Sequence, residues 1–326
     1  MLTRLLYIAE DVKQNIVYCI VLNHKKELSY WLAEYYYSGY KEECMEWLTQ
    51  IYYIHYALKY PSFEKVILLK RDTYKSNNEY DILINIANNL RIKESSSLYN
   101  TVLFQQNIIH RGRKPLWLQK YDESLRILLF YYSKADWLKV YNELQKCDRE
   151  KLNEFYNAVC VYLNDHQPIH NDIVQYYYTI STSYSIDTLK VMIFAMCLHM
   201  SVKDTPIISE YGKWLPNKNI INDYITLSET EYPRDMLKNN VHYNTRTIIE
   251  KKDLLDILNN WIEYSYETPI WRERIEYYGG SYNTISKKVE FPNDELLEEY
   301  YDTYGYELDE QSNDIYNKLY SVSLLK

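Results

Sequence analysis

The sequence predicts an all-α protein, an irregular α-solenoid or multi-helix bundle built from helical hairpins. Only 6 of its 326 residues are glycine and 8 are proline, so long elements run without interruption. Its 39 tyrosines supply wide rings for packing between helices. Apolar side chains recur every three or four positions along several segments, which is the spacing of one helix face. An apolar content of 47% is enough to bury a sizeable core.

The clearest periodic segment begins at Glu27. Its apolar stripe runs from Leu28 to Tyr36, and Gly39 falls where a residue with left-handed backbone ends many helices. A second stripe follows within Lys41 to Lys59, and Pro61 stops it. The two segments predict a helical hairpin.

The same pattern recurs between Asp122 and Cys147, with a break near Ser133. No strict repeat period is visible, which favours an irregular packing of hairpins over a tandem array. Further helices are predicted at residues 79–92, 98–109, 151–163, 169–179, 186–199 and 252–264.

Two stretches depart from the helical pattern. Residues 203–244 hold three prolines among polar runs, and residues 279–292 follow a Gly-Gly pair. Within the second stretch, Lys288 to Phe291 alternates like a short strand that pairs with Tyr278 to Tyr282. Asn293 or Asp294 then caps a last helix that extends to about Thr303.

These features predict two parts of the chain. Residues 1–265 form an all-helical domain, and its division into two subdomains near 203–244 is left open. Residues 266–326 form a C-terminal extension with a short strand-like segment and an acidic, aromatic helix and tail.

Charge is distributed unevenly around a formal net charge of −8. Residues 59–120 hold eleven basic and five acidic side chains, whereas residues 289–317 hold ten acidic side chains and no Lys or Arg. The C-terminal segment would therefore repel nucleic acid.

The strongest basic feature is the run from His110 to Trp117. Its cations can contact nucleic-acid phosphates, or they can pair with an acidic surface of this or another protein. We favour the protein contact because the whole chain is acidic. The predicted contact residues are Arg111, Arg113, Lys114 and Trp117, whose ring is suited to stacking.

The C-terminal segment from Tyr301 to Gln311 combines aromatic rings with acids and little apolar bulk. Two interpretations stay open: a functional tail that docks on a neighbouring subunit or folds back over the basic run, or a tail that packs on its own domain. The predicted docking residues are Tyr301, Tyr304, Tyr306, Glu307, Asp309 and Glu310.

Motifs for chemistry are weak. His166 and His170 have the spacing of a helical metal pair, but Pro168 between them breaks such a helix, so a polar loop is the better interpretation. Neither a phosphate-binding loop nor a dinucleotide-binding glycine cluster occurs. We therefore predict no catalytic residue, metal or cofactor.

Cellular location is constrained by cysteine spacing and hydropathy. The five cysteines are scattered and odd in number, which indicates free thiols in a reducing compartment. The longest apolar stretch, Val191 to Met200, is about half the length of a membrane span, for which roughly 20 residues are needed. We expect a protein that is neither secreted nor embedded in a membrane.

Two sequence blocks resemble a known family. The first is Leu28 to Gly39, continuing to Tyr60-Pro61; the second is Thr268 to Arg274, leading to Tyr304 through Gln311. Together they resemble an uncharacterised helical protein family of nucleocytoplasmic large DNA viruses, the giant viruses. The family brings no assigned catalytic residues, so the resemblance implies a viral origin and supplies no active-site residues to carry over.

The function expected from the sequence is that of a non-enzymatic viral scaffold that binds other viral proteins. It would act in the virion or in an intracellular complex in the host cytoplasm. The alternative is a nucleic-acid-associated factor of replication, transcription or translation that uses residues 59–120. An enzyme whose site is assembled from distant residues is a third hypothesis, and the oligomeric state is not predicted.

Overall fold

The computed structural model confirms the all-α class with a small β-hairpin. It describes residues 1–4, 7–77, 79–104, 115–166, 184–201, 256–257 and 260–304. These residues form helices joined by turns, apart from one two-stranded antiparallel hairpin and an isolated bridge between Leu2 and Ile8. Across the described ranges, every helix is too short or too polar to span a bilayer.

The chain divides into two compact units. Unit 1 comprises residues 1–44 together with 217–326, and unit 2 comprises residues 45–216. The helix α3, Lys41–His55, contains the division between Cys44 and Met45. Each unit therefore has its own packing.

Unit 1 joins the two ends of the chain. Its amino-terminal helices α1 and α2 pack against each other. The described elements of unit 1 beside α3 are α1 (Ala9–Val21), α2 (Lys25–Tyr37), α11 (Trp261–Tyr266), α12 (Pro269–Tyr277), β1 (Ser281–Asn283), β2 (Lys288–Glu290) and α13 (Asp294–Tyr304).

Unit 2 is a set of helices in which α10 packs against α8 and α9. Its described elements after α3 are α4 (Glu64–Asn77), α5 (Tyr80–Arg91), α6 (Leu98–Leu103), α7 (Glu123–Ser133), α8 (Trp137–Gln145), α9 (Arg149–His166) and α10 (Ile186–Ser201), with 3₁₀ turns at Pro61–Phe63 and Leu116–Lys120.

Several predicted helix boundaries are confirmed by their caps. Gly39 adopts φ +99° after α2, and its amide donates to the Tyr36 carbonyl at 3.1 Å. Asp122 caps α7 by accepting from the Leu125 amide at 2.8 Å. Asn293 accepts from the Leu296 amide at 2.9 Å and so fixes the start of α13.

Both helices of the predicted hairpin, α2 and α3, are confirmed, and their packing against each other stays a prediction because the division between the units falls within α3. Within unit 1 the helix that packs along α2 is α1, while α3 belongs mostly to unit 2. In addition, α3 ends at His55 and not at Lys59. The chain turns at Tyr56 before Pro61, and the Ala57 and Tyr60 amides donate to the Tyr52 and Tyr56 carbonyls.

Helices α1, α4 and α12 were not predicted. In α1 the polar residues Asp11, Gln14 and Asn15 are buried together with apolar ones, so the helix lacks an alternation between an apolar and a polar face. Pro269 opens α12 at a position where helices tolerate proline. The sequence pattern was therefore weakest where polar residues are buried.

The C-terminal hairpin is confirmed, with Tyr282 opposite Val289. The predicted domain boundary at 265/266 does not coincide with a boundary of packing, because Trp261 lies in the same core as Trp271 and Tyr300. The predicted helix at 169–179 and the irregular stretch at 203–244 lie outside the described residues.

Candidate functional site

Both blocks that carry the family resemblance meet in unit 1. At the start of α12, the Ile270 amide donates to the Ser38 carbonyl at 3.3 Å. Pro269 packs so closely on Gly39 that a Cβ at residue 39 would lie 2.5 Å from the proline Cβ. The fold thus places the end of α2 directly against the start of α12 within unit 1.

An aromatic core lies beneath this contact. We define it as Trp261, Trp271, Tyr300 and Tyr304. The Trp271 ring is fully buried and lies 5.5 Å from both the Trp261 and the Tyr304 ring centroids, edge-on in each case. Its indole N–H donates to the Thr3 carbonyl at 2.9 Å. The core therefore fixes α11, α12 and α13 to the amino-terminal segment.

Arg274 stands at the edge of the aromatic core. Its guanidinium carbon lies 4.5 Å from the Trp271 ring centroid and 4.7 Å from that of Tyr304. The residue is partly exposed. Among the described residues, no carboxylate lies within ion-pair distance of its nitrogens and no hydrogen-bond acceptor reaches them.

Helix α13 packs on the aromatic core with one side, and its other side is an acidic face. Its carboxylates are exposed, and none has a cationic nitrogen within 4.0 Å in the part of the chain that the structure describes. Like charges four residues apart repel each other and weaken a helix by roughly 0.2–0.5 kcal/mol per pair. The acidic face consists of Asp294, Glu295, Glu298, Glu299 and Asp302.

Only two of the predicted docking residues, Tyr301 and Tyr304, lie among the described residues. Tyr301 and Tyr304 are half-buried and pack on the aromatic core, since Tyr301 lies 6.5 Å from Trp261 and Tyr304 lies 5.2 Å from Tyr300. These two rings therefore serve internal packing. The remaining predicted docking residues, Tyr306, Glu307, Asp309 and Glu310, lie outside the described residues.

The basic run is described only in part. Arg111, Arg113 and Lys114 lie outside the described residues. Trp117 is half-buried, and its ring lies 4.9 Å from Tyr162 and 6.3 Å from Tyr121. Its ring is therefore used in packing within unit 2.

Several other cations of residues 59–120 are engaged within unit 2. Lys59 pairs with Glu94 at 2.5 Å, and Lys93 lies 4.6 Å from the Phe63 ring centroid. Arg71 is buried and pairs with Glu46. Part of the basic excess in this stretch thus balances internal groups, which reduces the charge available to a nucleic acid.

A polar network lies inside unit 2, and the sequence did not reveal it. One carboxylate oxygen of Glu46 accepts from the Thr188 hydroxyl at 2.5 Å and the Ser185 hydroxyl at 3.0 Å, while the other pairs with Arg71. The Arg71 guanidinium also lies over the Tyr184 ring, 4.6 Å from its centroid. The network thereby joins α3, α4 and the start of α10.

The same network contains a second carboxyl group, that of Glu64, which is buried. The Tyr53 hydroxyl lies 2.6 Å from Glu64 Oε1 and 3.1 Å from the Tyr184 hydroxyl. Burial raises the pKa of Glu64 to about 8, although the hydrogen bond with Tyr53 acts in the opposite direction. Glu64 is therefore mostly neutral at pH 7, which lowers the cost of burying it.

The five cysteines and His55 have pKa values shifted away from reactivity by burial. Burial raises the pKa of all five cysteine thiols, so they stay protonated near neutral pH. Burial lowers the pKa of His55 to about 4, which leaves that ring neutral. Both effects are typical of groups that serve packing.

A metal site would need several ligand side chains close together. Across the described ranges, no three His, Cys, Asp or Glu side chains are grouped to hold an ion. The side chains of His166 and His170 lie outside the described residues. The polar-loop interpretation of that pair therefore stays a prediction.

The sequence located part of the candidate site. Arg274 and Trp271 stand within the second resemblance block, and the acid-rich segment identified α13. Glu46, Glu64, Arg71 and Tyr184 were missed because they are far apart in the chain and share no spacing. Comparisons with models of known families, with curated proteins and with solved structures gave no match.

Proposed function

We propose that this chain is a non-enzymatic interaction protein whose acidic face binds a basic surface of another protein. The observation that carries the proposal is the exposure of the five α13 carboxylates without a cation among the described residues. Partner Lys and Arg side chains would offset the repulsion along the helix. Complementary charge also speeds association and selects the partner.

The packing under α13 supports this role. Tyr300 is fully buried, and its ring lies 6.3 Å from that of Trp261 in a stacked arrangement. A helix held in place by buried rings presents its charges in a fixed pattern. Less conformational freedom is then lost on binding, which favours affinity.

The partner class follows from the charge and from the family resemblance. An acidic face repels the phosphates of a nucleic acid, whereas it attracts a basic protein surface. The resemblance to a giant-virus family supports another viral protein as the partner. The complex would form in the virion or in an intracellular assembly in the host cytoplasm.

A matched pair of double variants tests the proposal. The test variant carries Glu298→Gln and Glu299→Gln, and the control carries Glu42→Gln and Glu43→Gln. All four carboxylates are exposed, but Glu42 and Glu43 stand in the first turn of α3 and are not part of α13. Each tagged full chain is recovered from infected cells with and without nuclease, and co-purifying proteins are identified by mass spectrometry.

The expected result is recovery of the same few viral proteins with wild type and control, resistant to nuclease, and a several-fold loss with the test variant. Equal recovery by both variants would contradict the proposal. Recovery that disappears after nuclease treatment would favour the nucleic-acid alternative instead.

A further inference from the structure

We propose that Arg274 is a receptor for a carboxylate group. This inference is independent of the acidic face, since it concerns a cation on α12 and an acidic ligand. It rests on the contacts of Arg274 with the aromatic core and on a comparison with Arg71 in unit 2.

Arg274 is restrained in a way that suits recognition of an anion. Its guanidinium lies over two rings, 4.5 Å from the Trp271 centroid and 4.7 Å from the Tyr304 centroid. Contact with aromatic faces limits the motion of the side chain and leaves the N–H groups at its edge for hydrogen bonding. A planar guanidinium can then hold both oxygens of a carboxylate at once.

Arg71 shows what completes such an arrangement in this protein. It too lies over an aromatic ring, 4.6 Å from the Tyr184 centroid, and it pairs with the Glu46 carboxylate. Arg274 likewise contacts aromatic rings, but in the part of the chain that the structure describes no carboxylate pairs with it. The comparison identifies a carboxylate as the chemical group that fits the remaining donors.

The surroundings favour a carboxylate over a phosphate. Glu273 and Glu276 are exposed on the same helix and would repel a doubly charged ligand more than a singly charged one. The nearest basic residue in sequence, Arg272, already donates its Nε–H to the Tyr266 carbonyl at 3.3 Å. A single guanidinium balances the one charge of a carboxylate.

The carboxylate can come from this chain or from another molecule. Glu307 follows Tyr304 by three residues, a chain length of roughly 10 Å when extended, so reach does not exclude the same chain. A peptide of another protein offers the same group. The experiment below separates the two sources.

The test is nuclear magnetic resonance of the arginine side chains in the full chain. Arg274→Lys identifies the Arg274 signals and keeps the charge, while Arg272 serves as the internal control on the same helix. A triple variant, Glu307→Gln with Asp309→Asn and Glu310→Gln, removes the nearby carboxylates of the same chain. Hexaglutamate is the external probe, with hexaglutamine as its neutral counterpart.

Two results would support the proposal. Separate Nη signals of Arg274 in wild type, merging in the triple variant, would mean that the same chain supplies the carboxylate. A saturable shift of the Arg274 Nε–H signal with hexaglutamate, absent with hexaglutamine and at Arg272, would mean that another molecule does. Arg274 signals that respond to neither the triple variant nor hexaglutamate would overturn it.

Discussion

Two buried clusters, the polar network of unit 2 and the aromatic core of unit 1, use tyrosine differently. In unit 2 the Tyr53 hydroxyl bonds to the buried Glu64, and the Tyr184 ring supports the Arg71 pair with Glu46. In unit 1 the Tyr300 ring packs on Trp261, and the carboxylates of α13 point away from the core to solvent. The polar network of unit 2 pairs its charges internally, whereas the acidic face of unit 1 leaves its charges exposed.

This difference separates structural charges from charges that can act on a partner. A buried ion pair with its hydrogen bonds in place is costly to disturb, because removing one member leaves the other without compensation. An exposed carboxylate without a cation contributes little to folding and is free to bind. The comparison therefore assigns stability to the polar network and interaction to the acidic face.

The largest expected effect concerns the core of unit 1. Trp271→Ala should lower the free energy of unfolding by about 3 to 5 kcal/mol, because it removes a fully buried ring from the aromatic core. Urea denaturation followed by circular dichroism measures the change. Trp117→Ala is the matched control, and its half-buried ring should cost less. Equal losses of unfolding free energy in the two variants would show that the aromatic core contributes no more to stability than the packing around Trp117.

The next largest effect is the difference in stability loss between variants of Arg71 and Arg274, the two arginines compared above for their contacts with aromatic rings. Arg71→Ala should cost about 3 kcal/mol of unfolding free energy, because it strands the partly buried Glu46 carboxylate. Arg274→Ala should cost about 1 kcal/mol, since it removes ring contacts and strands no described carboxylate. Urea denaturation measures the loss of unfolding free energy in each variant. A larger loss for Arg274→Ala than for Arg71→Ala would contradict the structural role assigned to Arg71.

A third prediction concerns pH and the network of unit 2. The Glu64 pKa rises from 4.5 to about 8 on folding, so the folded state holds a proton that the unfolded state releases between these values. Stability therefore falls as pH rises, by up to about 1.4 kcal/mol per pH unit. Unfolding free energies at pH 6 to 8, taken as the difference between wild type and Glu64→Gln, measure this slope. A flat difference would contradict the burial of Glu64.

The smallest effect concerns the acidic face. Glu298→Gln with Glu299→Gln should raise the free energy of unfolding by a few tenths of a kcal/mol, because it relieves repulsion along α13. The gain should shrink in high salt, which screens exposed charges. Glu42→Gln with Glu43→Gln should give no gain, because acids in a first helical turn are favourable. A loss of stability in the α13 variant would reveal an internal role for these carboxylates.

Local signals in the sequence predicted much of the fold. Gly39 and Asn293 mark helix ends by backbone and capping chemistry that acts within a few residues, and both positions are confirmed. The helix α1 escaped prediction because its buried Asn15 and Gln14 erase the apolar stripe. Local rules succeed at caps and fail where tertiary packing buries polar groups.

The candidate sites also differ in whether local sequence or tertiary packing determines them. The acidic face is continuous in sequence, so its composition was visible before its position on one side of α13 was known. The polar network joins Glu46, Glu64 and Tyr184, whose proximity arises only from the fold. Arg274 was not predicted as a site residue, because its contact with Tyr304 depends on the packing of α12 and α13.

Hydrogen–deuterium exchange of the purified full chain, alone and in the complex recovered from infected cells, tests the central claim most directly. We expect the backbone amides of α13 to gain protection in the complex, while those around the Glu46 and Glu64 network keep the same exchange rates. Protection gained at that network with no change in α13 would mean that the acidic face is not the binding surface.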